Sequence, residues 1–338
     1  MGMGFAQKAA KIMLTAGLGL AVFGLGTLSQ RAEAQSVRGS TGDAQNAVKS
    51  ASVMMLELKG SSLPPWWRAL AVARLARSQA RTGDEESARV LARDAVLLMN
   101  ERSPTPPPPA LGPATLFAIL SQAYLDMRDP QSAVQLANES LKAMQSVSDP
   151  VTRAANFAFL GLIMSEASGP EGARPLLLQG LRDASSLPAG REQIAALSMI
   201  AQAQGKLNDK ASATDTLAAL AGALPALKKS GDIALTRAYA ARAAMAAQDG
   251  NAARTHIREA VAAYDRSTQS SEMPMPERVA ALGLIALAYN EIGDKSAARQ
   301  IVATLKQTLA SISEPYDKFQ GLLTLADTTY EIEQQRRP

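Results

Sequence analysis

The 338-residue chain contains one histidine and no cysteine, which narrows the chemistry its side chains can perform. Without cysteine there is no disulfide, no thiolate zinc site and no lipid-modified thiol. His256 lies between Arg254 and Arg258. A lone imidazole leaves no nucleophile–base pair of the common kinds, and in so charged a segment it is expected to be solvated. Paired carboxylates come next, because glycoside hydrolysis needs only two acids. Asp84, Glu85 and Glu86 cluster, but at the expected start of a helix, where acidic side chains interact well with the helix dipole. Asp129, Asp209, Asp249 and Asp294 recur at one place in a repeating pattern and are expected to cap helices. No H-E-x-x-H helix, calcium loop or glycine-rich phosphate loop is present. The sequence therefore argues against an enzyme and predicts no catalytic residue, no metal ligand and no cofactor.

The aspartates belong to a turn that recurs seven times, at 42–43, 83–84, 128–129, 168–169, 208–209, 248–249 and 293–294. Each turn is followed at a fixed offset by an alanine: Ala47, Ala88, Ala133, Ala173, Ala213, Ala253 and Ala298. Steps of 41, 45, 40, 40, 40 and 45 residues separate them, which is the spacing of a solenoid built from stacked units. Apolar residues at 3–4 spacing predict first helices near 66–82, 113–127, 150–167, 190–207, 232–247 and 276–292. Second helices are predicted near 85–99, 131–144, 170–184, 210–227, 251–264 and 295–312. A turn this short makes each pair an antiparallel hairpin, with the alanine where the two helices cross. The hairpins occupy about 64–312, with a lone second helix over 43–58 and a lone first helix over 315–335, read as capping half-repeats. Both 45-residue steps hold a proline-bearing insertion after a second helix, at 103–109 and 267–276, read as linkers.

This pattern resembles the tetratricopeptide family. The family places a small residue twelve positions before the motif alanine, and here that site holds Ala76, Ser121, Gly161, Ala201, Ala241 and Ala286. Its tyrosine three positions later is matched by Tyr124 and Tyr289 alone, and units of 40–45 residues are longer than the family's own. The resemblance implies an all-α solenoid of about six hairpins coiled as a right-handed superhelix. It also implies a concave groove lined by first helices, where a protein or peptide partner would bind. Projected onto that groove are Arg77, Arg81, Gln122, Gln202, Lys206 and Arg242. Trp66 and Trp67 are the only tryptophans; one is expected to pack beneath the N-terminal helix and the other to stay partly exposed.

The first 34 residues read as an export signal: Lys8 and Lys11, an uncharged run over 12–28, then Ala32-Glu33-Ala34, with cleavage before Gln35. Its loss lowers the formal charge from +4 to +2, too small an excess to support nucleic-acid binding. No later segment has the length and apolarity of a membrane span. The expected function is a non-enzymatic interaction scaffold or adaptor in a bacterial periplasm. A homo-oligomeric structural envelope protein and a non-catalytic frame for an envelope enzyme are the alternatives.

Overall fold

The structure, a computed structural model, describes residues 42–59, 63–103, 106–108 and 112–334. The expected export signal lies outside them. The described residues form fourteen α-helices and no strand. They are α1 (Gly42–Lys59), α2 (Pro65–Thr82), α3 (Glu85–Met99), α4 (Pro113–Asp126), α5 (Pro130–Met144), α6 (Pro150–Ser168) and α7 (Pro170–Ser185). There follow α8 (Arg191–Lys206), α9 (Lys210–Ala223), α10 (Ser230–Ala246), α11 (Gly250–Gln269), α12 (Met275–Glu291), α13 (Lys295–Ala310) and α14 (Pro315–Gln334). The helix predicted over 210–227 ends early. Pro225 has no N–H to continue the ladder, and Leu224–Ala226 close as a 3-10 turn.

Local chemistry explains the hairpins. The six turns place a residue in the left-handed region: Gly83, Gly169 and Gly293 at φ 85–92°, Arg128, Asn208 and Gln248 at φ 57–62°. In five of them the next residue is an aspartate whose carboxylate accepts the backbone N–H three positions on: Asp84 from Ser87, Asp129 from Ser132, Asp209 from Ser212, Asp249 from Ala252 and Asp294 from Ala297. The recurrent acids therefore satisfy helix ends. Behind each turn the motif alanines are buried against the first helix. Space there is tight: a Cβ on Gly161, at the small-residue site, would stand 2.6 Å from Leu177 Cδ2.

First helices pack on first helices along the chain, and each second helix also touches the first helix of the next unit. The two half-repeats do not cap opposite ends of an open array. α1 packs along α14 as the second helix of a seventh unit, and α14 also meets α2. The seven units thus close into a ring, with first helices inside and second helices outside. Burial follows that division. Ala69–Ser78 of α2, Ile194–Gln204 of α8 and Val279–Ala288 of α12 are buried without interruption. At 3.6 residues per turn, such runs point in every direction, so no side of these helices faces water. Second helices bury one stripe only, as in Ala298, Val302, Leu305 and Leu309 of α13.

Candidate functional site: the interior ionic cluster and the outer face

Closure changes the surroundings of the residues projected onto a groove. Arg77, Arg81, Gln122, Gln202 and Arg242 are buried, none more than 7% exposed, while Lys206 alone lies at the surface. The wall that would be concave in an open solenoid is packed interior here, so these positions offer no accessible groove.

Near the last turns of the first helices, charges from different units meet. Arg81 on α2 sits at the centre: its Nη1 is 3.1 Å from Asp327 Oδ1 on α14, its Nη2 contacts Glu331, and its Nε is 4.0 Å from Asp126 Oδ2 on α4. Its guanidinium also lies 4.6 Å from the ring centre of Tyr330. Arg77, one turn earlier, reaches Asp126 at 3.5 Å. Across the ring Arg242 on α10 pairs with Glu291 on α12 at 2.7 Å. At the opposite ends of the first helices, Arg191 bridges Asp232 and Glu277, 3.1 Å from each. Burial lowers the pKa of Arg74, with Asp327 opposing, and burial lowers that of Arg77, with Arg81 adding to the effect. Arginine nonetheless holds its proton at neutral pH. These groups therefore fix helices relative to one another rather than move protons. Gln122 is fully buried, and neither atom of its amide has a hydrogen-bond partner among the described residues.

Asp327, Glu331 and Tyr330, all on the terminal helix, are missing from the projected groove residues. The sequence held a signal for the two acids: they stand four apart on the terminal helix, matching the four-residue spacing of Arg77 and Arg81.

Both tryptophans are buried, and neither is left partly exposed. Trp67 meets Tyr316 of α14 edge-on, ring centres 4.8 Å apart, so closure of the ring covers it. His256 is half-buried rather than solvated, and its Nδ1 lies 2.9 Å from Arg237 Nη1. Guanidinium can only donate, so Nδ1 is the acceptor and the ring is held neutral. Burial lowers the imidazole pKa, and Arg237 lowers it further.

The outer helices offer a different surface. Among the described residues, the large apolar side chains left exposed are Val53 and Leu56 on α1, Val90 and Leu97 on α3, and Leu178 on α7. Four of these five fall on α1 and α3, which flank α2 on the outside of the ring. Leu56 and Leu97 occupy equivalent places, nine residues beyond Ala47 and Ala88. Among the described residues no group of three or more histidine, cysteine or acidic side chains is placed to hold a metal ion. No described helix is long and apolar enough to cross a membrane. No protein-family model matches the chain, and no curated protein matches it in sequence.

Proposed function

We propose that the chain is an exported, non-enzymatic scaffold or adaptor that grips a protein partner in the bacterial periplasm, on a tetratricopeptide-like array closed into a ring. The observation that carries this reading is the set of exposed apolar side chains on the two outer helices that flank α2, Val53 and Leu56 of α1 and Val90 and Leu97 of α3. Large apolar side chains left exposed in one region of a molecule are characteristic of contact surfaces. The interior ionisable groups support a non-catalytic reading, since arginines and carboxylates from neighbouring helices engage each other there. Partner binding is thereby assigned to the outside of the ring. The homo-oligomeric envelope protein is the second reading, favoured by the same face if a second copy covers it.

The test uses protein recovered from the envelope with Gln35 as its first residue. A Leu56→Glu, Leu97→Glu double variant keeps the wild-type melting temperature within a few degrees, because surface changes usually stay within ~0.5 kcal/mol. It loses co-purifying protein that the wild type retains. Unchanged recovery places the contact elsewhere, and an intact Met1 on the recovered protein overturns export with cleavage.

A further inference from the structure

The unit that closes the ring is the one described hairpin whose two helices are not joined by a turn. In the other six, a short turn ties first helix to second. Helix α1 reaches its place on α14 only through residues 60–64, which connect it to α2. We infer that α1 is an exchangeable element, and that the face of α14 and α2 that receives it accepts α1 from a second copy of this chain. The product is a reciprocally exchanged dimer. This inference does not depend on the scaffold reading, because it concerns how α1 docks and not what the outer face binds.

The contacts that seat α1 work equally well between chains. Its buried stripe is Ala44, Ala47, Val48, Ala51, Met55 and Leu58, in which alanine supplies three of six side chains and little apolar area. Gln79 Nε2 on α2 donates to Ser52 Oγ at 3.0 Å, and Lys306 Nζ on α13 meets Asp43 Oδ2 at 2.7 Å. None of these contacts requires that α1 belong to the same chain as its receptor. The closed monomer and the exchanged pair therefore differ in the path of the connector and in the effective concentration that the connector imposes.

The connector itself points the same way. Only five residues, 60–64, link α1 to α2 in the sequence, and short links between packed elements favour exchange.

The absence of cysteine makes the test direct. Ser52→Cys and Gln79→Cys are prepared as separate full-chain variants, mixed, incubated and treated with a short bis-maleimide. A cross-linked dimer is expected on a denaturing gel, requiring both variants and increasing with time and concentration. The double variant in one chain, freshly purified and dilute, is expected to link internally. Internal linkage in that control with no cross-chain product from the mixture overturns exchange. Absence of both products overturns the seating of α1 on α2. Should either variant fail to fold, the exposed pair Asp43→Cys and Lys306→Cys repeats the experiment, read the same way.

Discussion

At Arg81 one guanidinium answers carboxylates from two other helices and covers a tyrosine ring. Breaking a buried pair by removing one partner costs about 3–5 kcal/mol, because the remaining charges stay buried without compensation. Arg81→Ala is therefore expected to lower unfolding free energy by that order in urea titration. A loss below about 1 kcal/mol, normal for an exposed side chain, would return Arg81 to the surface. Arg77 and Arg242 fall under the same logic, so a double alanine change there is expected to destabilise the fold as well. His256 gives a second residue-scale check. Its folded pKa lies below the ordinary 6.5, so between the two values the unfolded chain binds more protons. The associated stability is present above 6.5 and is lost as pH falls toward the folded value. Proton NMR of the single imidazole is expected to give a midpoint below 6.5; one at or above 6.5 would contradict the contact with Arg237.

At the scale of the element, the hairpins were legible because their requirements are local. A left-handed turn residue, an aspartate cap, a small residue on each side of the crossing and apolar 3–4 spacing all leave marks within about 40 residues of sequence. Those marks also allow a test. Gln248 adopts φ 62° where Gly83 and Gly293 hold equivalent turns at 92° and 87°. The left-handed region costs a side-chain-bearing residue roughly 1–2 kcal/mol. Glycine in turn gives back roughly 0.5–1 kcal/mol through the entropy of the unfolded chain. Gln248→Gly is thus expected to raise the melting temperature slightly, by about 0.5–1 kcal/mol in stability at most. A clear destabilisation would show that the Gln248 side chain makes contacts worth more than the backbone strain. Helix ends were less legible where tertiary packing decides them: α11 runs to Gln269, five residues past its predicted end, with Ser267 still buried.

Closure belongs to the whole molecule, and helix periodicity does not encode it. The same apolar stripe serves a first helix in an open superhelix or in a ring; the difference accumulates from small rotations between successive units. Close approaches such as Gly205 against Ala246, where a Cβ would come within 2.5 Å of the backbone oxygen, set those rotations, and one sequence does not reveal their sum. Two clues were nevertheless present. The chain starts its array with a second helix and finishes it with a first helix, which are complementary halves. Arg77 and Arg81 near one end also match Asp327 and Glu331 near the other in spacing and charge. Without closure, the same inward-facing positions line a groove instead of an interior. The most direct measurement of closure is the intrachain distance between spin labels on Asp43→Cys and Lys306→Cys, taken on the freshly isolated monomer at low concentration. These residues are 263 apart in sequence, and their side chains meet at 2.7 Å. A ring gives a single short distance that denaturant abolishes. A long or broad distribution under native conditions would mean that the array stands open, and that its first helices line a groove after all.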